Sequence, residues 1–361
     1  MRTWVAERQG NVLACRPEPM PPPGLQYVVV SPREVLADRH DGWSDLAGRA
    51  AMTSTTTQMC YSMSKTFTAA AVLLLVQAGR LALDDSLQRH VPMSPYGPDV
   101  TIRQLISHTG GLPNPIPLRW VHPAAAHATF DEAAALGAVL RGHPRLASPP
   151  GAKYRYSNIG YWLLGPLVEA VSGERFTDFV AGRVLRPLGI GPGELGYTIP
   201  DPARHAAGYL EKYSFFNLLK PWLIDRSLVG GYEGPWLRIA SHYPNGPAFG
   251  GLVGSARAVA AFLQDQLRDS SSIFDAKTRA LFFEPQQAHG APVAMTLGWH
   301  IGPGAGGSCF FKEGGGGGFH SMMRVYPRQR LASVVMVNAT GFDVRKFLDR
   351  EDAAVLARTS A

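Results

Sequence analysis

The chain has 361 residues, of which 45% are hydrophobic and 17% charged, a composition that supports a sizeable core and argues against disorder. The length fits two domains of ordinary size or one large domain with an insertion. The net charge is +7, but the Lys and Arg residues are scattered singly and form no basic run. This distribution indicates a solvated surface and argues against nucleic-acid binding.

The cysteines and the N-terminal segment indicate the cellular setting. Cys15, Cys60 and Cys309 form no C-x-x-C pair, so the sequence predicts neither a disulfide framework nor a zinc site. Residues 1–24 contain no apolar stretch of signal-peptide length and are interpreted as an N-terminal leader segment. The apolar run Ala69–Val76 is too short to span a bilayer. We therefore expect a cytoplasmic protein with no metal and no membrane partner.

The first third of the chain predicts strands followed by a long helix. The stretch QYVVVSPREVLADRHDGWSDL indicates two strands with a turn at Ser31–Pro32, because β-branched residues dominate and proline interrupts the run. Residues 53–57 form a short β-prone segment before an apolar helix predicted over residues 66–79. Its residues are apolar on all faces, as in a core helix, and Gly79 ends it.

The middle of the chain has a different character. Helical patterns alternate with Pro and Gly clusters and strand signals are few, as in TIRQLISH, FDEAAALGAVLRG, GYWLLGPLVEAVSG and FTDFVAGRVL. Residues 213–243 are rich in aromatic side chains, which include Phe215, Phe216, Trp222, Tyr232 and Trp236.

The end of the chain returns to strands. A helix is predicted over residues 256–268, then strands in MTLGWHIG, SCFFK, GFHSMMRVY and LASVVMVNA, and a last helix over residues 343–358. The predicted fold class is therefore α/β of the α+β type. Residues 25–85 and 249–361 would form one domain with a mainly antiparallel sheet flanked by helices, and residues 86–248 an α-helical insertion domain.

Ser62 and Lys65 are spaced as S-x-x-K at the start of the long helix. Residues three apart share a helix face, so the hydroxyl and the amine can meet, whereas Ser64 lies on another face. A serine nucleophile needs a nearby base, and a lysine can serve when desolvation lowers its pKa. The alternative is an N-cap serine followed by a lysine that reaches the surface. The apolar surroundings favour a partly buried lysine that needs a partner.

Tyr156 and Asn158 precede another apolar helix in YRYSNIGYWLLG. A tyrosine hydroxyl can relay a proton if neighbouring cations lower its pKa. The Asn158 amide can bond both a lysine and a substrate carbonyl. Taken alone, the pattern equally fits Ser157 or Asn158 as a helix cap.

Lys312 stands before a run of five glycines, residues 314–318, between two predicted strands. Glycines let the backbone approach a ligand and leave N–H groups free for half of an oxyanion hole. A phosphate loop is rejected, because no G-K-[ST] follows and no helix begins there. The alternative is a flexible hairpin turn, although a hairpin rarely needs five glycines.

Together, the S-x-x-K, the Y-x-N about ninety residues later and the K-x-G on a late strand resemble the serine β-lactamase and penicillin-binding-protein superfamily. The resemblance extends from about Tyr27 to Asn338 and is closest to the class C-like branch, which includes the family VIII carboxylesterases. It also includes the flanking stretches SKTFTAAAVLLLVQAGRLALDD, LISHTGGLP, PPGAKYRYSNIGYWLLG, AFGGLVGSARAVAAFL and GGGGGFHSMMRVYP.

The resemblance implies a role for each side chain. Ser62 would be the acylated nucleophile, and Lys65 would keep it deprotonatable. Tyr156 would act as general base and then as acid for the leaving group. Asn158 would orient Lys65 and the substrate, and Lys312 would lower the pKa of Tyr156.

The strand that carries Lys312 would supply the rest of the site and one departure from the family pattern. The backbone N–H groups of Ser62 and of Gly315, which directly follows Gly314, would form the oxyanion hole. Many relatives have a hydroxyl between the lysine and the glycine, whereas this chain has Glu313. We expect this carboxylate to repel anionic substrates and to pair with Lys312.

We predict a serine carboxylesterase acting on short-chain acyl esters, a small-molecule substrate, with no cofactor; the oligomeric state is left open. The aromatics of residues 213–243 would wall the acyl pocket. The alternatives on the same site are a β-lactamase, a D-amino-acid-specific peptidase or an acyltransferase. A catalytically silent binding module of the same fold is the alternative from another class. The absence of G-x-S-x-G disfavours an α/β-hydrolase esterase.

The histidines are assigned plainer roles. His122 and His127 lack the H-E-x-x-H spacing of a zinc site and are predicted in a loop or at the surface. His108 in LISHTGG is predicted to fix the loop beside Gly110–Gly111 through hydrogen bonds. His320 follows the glycine run, but strand alternation does not decide whether it faces the pocket.

Overall fold

A computed structural model describes four parts of the chain, residues 20–116, 120–214, 217 and 225–359. Most of the predicted leader segment lies outside these residues, as do Phe215, Phe216 and Trp222 of the predicted pocket. The described residues form a layered α/β fold, in which helices cover both faces of one large antiparallel sheet.

The strands, in chain order, are β1 (Gly24–Val30), β2 (Val35–Asp45), β3 (Ala50–Ala51), β4 (Gln58–Met59), β5 (Val121–Pro123), β6 (Leu195–Gly196), β7 (Gly208–Glu211), β8 (Val229–Glu233), β9 (Trp236–Ile239), β10 (His242–Pro244), β11 (Val253–Gly254), β12 (Gln287–Ala288), β13 (Ala291–Pro292), β14 (His300–Gly304), β15 (Gly307–Gly316), β16 (Phe319–Tyr326), β17 (Leu331–Val337) and β18 (Ala339–Thr340). The α-helices are α1 (Ser64–Gln77), α2 (Leu87–His90), α3 (Ile102–Ile106), α4 (Glu132–Gly142), α5 (Asn158–Ser172), α6 (Phe176–Val180), α7 (Pro247–Gly250), α8 (Ala256–Leu267), α9 (Ala276–Phe283) and α10 (Val344–Thr359). A 3₁₀ turn at Tyr61–Met63 leads directly into α1.

The main sheet joins the two ends of the chain. Its strand order is β14-β15-β16-β17-β1-β2-β3. Strand β1 is the junction, because it pairs with β17 on one side, Tyr27 opposite Val335, and with β2 on the other. This confirms the prediction of a mainly antiparallel sheet built from N- and C-terminal segments.

The two faces of this sheet carry different helices, because successive side chains of a strand point to opposite faces. On β1, Val28 and Val30 belong to a core that includes α1 and α8. Tyr27 and Val29 belong to a second core beneath α10, where Tyr27 packs edge-on against Phe347 at 5.5 Å between ring centroids. Every residue of β1 is buried, as expected for a strand covered on both sides.

Helix α1 lies in the centre of the molecule and contacts α5, α7 and α9. The helix predicted over residues 66–79 is observed at Ser64–Gln77. Gly79 follows with φ of 67°, a left-handed conformation that glycine adopts without strain. Since nearly all of its side chains are buried, α1 is a rigid mount for the residues of its first turn.

The C-terminal part follows the predicted order with two differences: the unpredicted elements α9, β12 and β13 lie between the predicted ones, and one predicted strand starts late. The two helices predicted there form α8 and α10, and three of the four predicted strands form as expected. In MTLGWHIG the strand begins only at His300. Gly298 has φ of 114° and a Cβ on it would lie 2.7 Å from Ala69 Cβ, so the preceding segment is a loop packed on α1.

The middle of the chain contains short strands that the sequence pattern does not predict. Strands β7, β8 and β9 join β18 in a small sheet ordered β18-β7-β9-β8. Strand β18 runs parallel to β7, with Ala339 opposite Tyr209, so the small sheet continues from the end of β17. The short strand lengths and the two glycines of β8, Gly230 and Gly231, explain the weak signal. The boundaries of the insertion domain, residues 86–248, stay a prediction.

Candidate active site

The structure brings Ser62 and Lys65 together at the start of α1. Lys65 Nζ donates to Ser62 Oγ over 2.9 Å and to the backbone carbonyl of Phe249 over 2.6 Å. Ser64 turns into the core instead, where its hydroxyl accepts from the backbone N–H of Leu252. The lysine is therefore paired with Ser62 and not with Ser64.

Tyr156 reaches the same serine from a distant part of the chain. Its hydroxyl donates to Ser62 Oγ over 2.9 Å. The next residue, Ser157, caps α5 by accepting from the N–H of Gly160, which fixes the chain direction beside Tyr156. Ser62 Oγ is thus the common acceptor of a phenol and an amine.

His108 supports Tyr156 from behind. The two rings lie 4.4 Å apart between centroids, and His108 Nδ1 accepts from the backbone N–H of Ser157 over 3.2 Å. The carbonyl of His108 also accepts from the N–H of Arg155. His108 therefore forms hydrogen bonds, as expected. These bonds fix the segment of Tyr156, whereas the prediction was for the loop beside Gly110–Gly111.

Lys312 approaches the pair from strand β15. Its side chain is fully buried, and its Nζ has no hydrogen-bond partner within the described part of the chain. The centroid of the Tyr156 ring lies 5.5 Å from Lys312 Nζ and 5.1 Å from Lys65 Nζ. Two buried amines are therefore close to one tyrosine.

Glu313 lies on the other face of the same strand. Its carboxylate is 2.8 Å from His320 Nε2 and 3.5 Å from Arg345. The expected pairing of Glu313 with Lys312 is therefore wrong, because neighbouring residues of a strand point to opposite sides. The expected repulsion of anionic substrates loses its basis for the same reason.

The glycine run is strand for most of its length and not a flexible turn, since β15 continues to Gly316. A Cβ on Gly314 would lie 2.2 Å from the carbonyl oxygen of Cys60, and one on Gly316 would lie 2.2 Å from the ring of Tyr61. The strand backbone can touch the turn that carries Ser62 only because these two side chains are missing.

Burial changes the protonation of all three groups around Ser62. It lowers the pKa of Lys65 well below the ordinary value, and nearby Lys312 lowers it further. Burial also lowers the pKa of Lys312 to about 7. The pKa of Tyr156 is raised, because burial outweighs the hydrogen bond with Ser62. A lowered Tyr156 pKa, as the resemblance implies, is therefore not found; burial favours the neutral amine of Lys65 and the protonated phenol of Tyr156.

Four residues are predicted to bind the substrate or form the oxyanion hole: Asn158, Lys312, Gly314 and Gly315. Two of them line a cavity at Ser62. Asn158 and Gly315 both contribute to its wall. The backbone N–H of Asn158 donates to Asn114 Oδ1 over 3.0 Å. The second acceptor of Lys65 is the Phe249 carbonyl, which a sequence pattern does not reveal because any residue has a carbonyl.

The cavity has a volume of about 440 Å³ and is largely apolar. Its described apolar and aromatic lining comprises Tyr61, Ile116, Trp120, Val121, Leu210, Pro244 and Phe249. His242, His320 and Thr340 add polar groups, and none of the described lining residues is Asp or Glu. The site can therefore enclose a small apolar group next to a serine hydroxyl.

The predicted aromatic wall differs from the observed one. Of the five aromatics singled out in residues 213–243, the two that the structure describes are elsewhere: Tyr232 is exposed and Trp236 packs in the core beneath α10. The observed aromatic wall comes mainly from Trp120 and Phe249. Both lie outside the predicted segment, so the prediction is wrong for Tyr232 and Trp236, the two of its five residues that are described.

His122 and His127 form a packed cluster. His122 is buried, and its Nε2 lies 3.0 Å from Nδ1 of His127. The prediction of a loop or surface position is therefore wrong for His122, which stacks on Phe130. Throughout the described ranges, no group of three or more His, Cys, Asp and Glu side chains could hold a metal ion. A separate search of those ranges finds no helix with the length and apolar character needed to cross a bilayer.

The large antiparallel sheet and the buried helix α1 that carries the serine–lysine pair define the β-lactamase fold. The profile of the family described as Beta-lactamase matches residues 19–358. The chain belongs to that family.

Individual relatives agree with this assignment. The protein flp of Staphylococcus aureus (strain MW2) is 31% identical over 173 residues, which cover 46% of this chain and 33% of that protein. The chain therefore spans about a third of the length of this curated relative.

Two solved structures share the fold. The D-amino acid amidase of Ochrobactrum anthropi SV3 has a TM-score of 0.76 and 19% identity, with 94% of each chain covered. EstCE1, a hydrolase with promiscuous acyltransferase activity, has a TM-score of 0.66 and 21% identity, with 92% of this chain and 94% of that chain covered.

Proposed function

We propose that the protein is a serine carboxylesterase that forms an acyl-enzyme on Ser62 and hydrolyses short-chain acyl esters without charged groups near the reacting carbonyl. The observation that carries the proposal is the apolar cavity of about 440 Å³ at Ser62, whose described lining has no Asp or Glu. A small uncharged acyl group loses no ionic hydration on entering such a cavity, whereas a charged one would.

The site residues support a two-step mechanism. The neutral Lys65 amine takes the proton of Ser62 as Oγ attacks the ester carbonyl. The backbone N–H groups of Ser62 and Gly315 stabilise the oxyanion. Tyr156, which is protonated, donates its proton to the departing alkoxide, and the alcohol leaves the acyl-enzyme. Lys65 then gives Tyr156 the proton that it took from Ser62, and both groups are neutral again before hydrolysis.

In the second step, water hydrolyses the acyl-enzyme, and Lys65 again acts as the base. Lys65, neutral again, takes a proton from water while the resulting hydroxide attacks the acyl carbonyl. The tetrahedral intermediate collapses, Ser62 Oγ leaves, and it recovers a proton from Lys65. Lys312 stabilises transient negative charge on Tyr156, because its amine lies near that ring. Asn158 lines the cavity where it can bond the substrate carbonyl region.

The lining disfavours the amidase and peptidase alternatives. A D-amino acid substrate carries an α-ammonium group, which needs a carboxylate partner in a small apolar cavity. The nearby carboxylate of Glu313 faces away and is engaged by His320 and Arg345. Among the described lining residues, the carboxylate of a β-lactam lacks a partner as well, since His320 is bonded to Glu313 and Lys312 is buried under Tyr156.

A substrate panel tests the proposal. Wild type, Ser62→Ala and the matched control Ser64→Ala are compared on p-nitrophenyl acetate and butyrate, a chromogenic cephalosporin and D-phenylalanine amide. We expect ester hydrolysis by wild type and Ser64→Ala, and a loss of about 10³-fold or more in Ser62→Ala.

Each other result identifies an alternative. Faster turnover of the cephalosporin or the amide than of the esters would replace the esterase by a β-lactamase or an amidase. Preferred transfer to an added alcohol would indicate an acyltransferase. Ester hydrolysis that survives Ser62→Ala would refute the serine mechanism, and absence of all turnover would favour the silent binding module.

A further inference from the structure

Tyr61, directly before the nucleophile, has an unusual backbone. Its φ is 44°, in the left-handed region that residues other than glycine rarely adopt. It is also buried, at 8% exposure. A bulky residue keeps such a conformation only when its surroundings hold it there, and the conformation sets the direction of the Ser62 N–H and side chain.

A histidine far along the chain holds the Tyr61 side chain. The hydroxyl of Tyr61 is 2.6 Å from Nε2 of His242. His242 Nδ1 is 2.8 Å from the backbone carbonyl of Ala240, and a carbonyl only accepts, so Nδ1 carries the hydrogen. In the neutral ring Nε2 is then the acceptor, and Tyr61 donates to it.

The glycine run closes around this pair. A Cβ on Gly316 would lie 2.2 Å from the Tyr61 ring, and one on Gly317 would lie 3.0 Å from the His242 ring. Both rings are therefore pressed against the backbone at the end of β15. The hydrogen bond and this packing together hold the Tyr61 side chain in a single conformation.

We propose that His242 is a positioning residue for the nucleophile, acting through the Tyr61 hydroxyl to hold the strained turn that aims Ser62. This inference rests on the proposed acyl-enzyme chemistry at Ser62. His242 is separate from the proton-transfer groups, because it bonds the residue before Ser62, whereas they bond Ser62 Oγ.

The test uses variants that separate the hydrogen bond from the packing. His242→Leu removes the acceptor, His242→Gln keeps an acceptor oxygen, and Tyr61→Phe removes the donor. His205→Leu is the matched control, since His205 is another largely buried histidine whose Nδ1 bonds Thr57 Oγ1. Three quantities are measured: the rate of Ser62 labelling by a fluorophosphonate, kcat and KM for p-nitrophenyl butyrate, and the thermal unfolding temperature.

We expect His242→Leu and Tyr61→Phe each to slow labelling and kcat by about 10- to 100-fold, with KM changed by less than about threefold, because a small misplacement of the nucleophile has effects of this size. His242→Gln should recover most of the rate. The double variant His242→Leu/Tyr61→Phe should be no slower than either single variant, because both remove one interaction. His205→Leu should label at the wild-type rate.

Several outcomes would overturn the inference. Additive losses in the double variant, no recovery in His242→Gln, or a change confined to KM would make His242 only a part of the cavity wall. If His242→Leu does not fold, the labelling rate of His242→Gln is compared with that of Tyr61→Phe. Equally slow labelling by these two variants would count against the role of the hydrogen bond.

The failures of the two proposals are distinguishable. If wild type labels rapidly but hydrolyses no ester, the esterase proposal fails while the labelling rates still decide on His242. If wild type hydrolyses esters and His242→Leu labels as fast as wild type, only the positioning role fails. A wild-type Ser62 that does not label at all refutes both.

Discussion

The protein contains two buried polar clusters that are satisfied to very different degrees. Beneath α10, both carboxylate oxygens of Asp352 are bonded: Tyr27 donates to one over 2.9 Å, and Tyr326 and Ser333 donate to the other over 2.7 and 2.8 Å. At Ser62, two buried amines stand together, and the Nζ of Lys312 has no partner in the described ranges.

The difference separates a structural cluster from a reactive one. A buried carboxylate with three hydroxyl donors fastens α10 to the sheet, because each polar atom exchanges water for a protein partner. Two buried amines with few acceptors give up hydration without full compensation, and the result is a lowered pKa and an available base. The same depth of burial therefore stabilises the fold at one place and prepares chemistry at the other.

The largest effect is expected from a substitution of Lys65. Lys65→Met should lower kcat by about 10²–10⁴-fold, since the base is lost. It should also raise the free energy of unfolding by about 1–3 kcal/mol, because an apolar side chain replaces a poorly compensated amine. Ester kinetics and urea unfolding of the same preparation measure both effects. A variant that is inactive and also less stable would show that the amine supports the fold.

At the Asp352 cluster we expect the opposite result, a loss of stability without a loss of activity. Asp352→Ala leaves three hydroxyls without their acceptor and should lower the free energy of unfolding by about 3–5 kcal/mol. Ester kcat/KM, measured where the variant is still folded, should stay within about threefold, because the cluster lies on the far side of the sheet. Asp349→Ala is the comparison variant: it removes one half-exposed partner of the buried Arg324 and should cost less than Asp352→Ala, because Arg324 keeps its bonds to a tyrosine hydroxyl and a backbone carbonyl. Equal losses in the two variants would contradict the comparison.

The smallest effect is a dependence of stability on pH. The pKa of Lys312 is about 7 in the fold against an ordinary value of 10.5. Between these values the unfolded chain holds one proton more, so the free energy of unfolding rises with pH by up to about 1.4 kcal/mol per unit. Above pH 10.5, Lys312 is neutral in both the folded and the unfolded chain, and the free energy of unfolding no longer rises.

Lys312→Met isolates this contribution. Urea unfolding of wild type and variant between about pH 7.5 and 9.5 should show the variant as the more stable protein at the lower pH, with an advantage that shrinks as pH rises. The other ionisable groups are the same in both proteins, so their effects largely cancel. A difference that is constant with pH would mean that Lys312 keeps its ordinary pKa in the fold.

Local spacing made part of this molecule predictable. The pairing of Ser62 with Lys65 follows from helix geometry, and the strands of the main sheet follow from alternating and β-branched patterns. The approach of Tyr156 to Ser62 is different, because nothing local in the sequence brings together residues so far apart. Only the resemblance to a known family predicted it.

The remaining features depend on tertiary packing. Two features of the site cannot be predicted from residue types. The Phe249 carbonyl is a backbone group, and the bond between Tyr61 and His242 joins residues 181 positions apart. The position of Glu313 was within reach of strand alternation, once Lys312 was placed towards the site. The lowered lysine pKa values need the depth of burial, which a sequence pattern gives only in outline.

The missing side chains at Gly314 and Gly316 also bear on how this protein can be altered. Any replacement there would push β15 away from the turn before α1, so these two positions cannot be used to reshape the cavity. Under the proposed function, variation in substrate range, by evolution or in the laboratory, is expected at other residues of the described cavity wall. Ile116, Trp120 and Leu210 are the positions there where a change of side-chain volume alters the space around the acyl group while leaving the nucleophile in place.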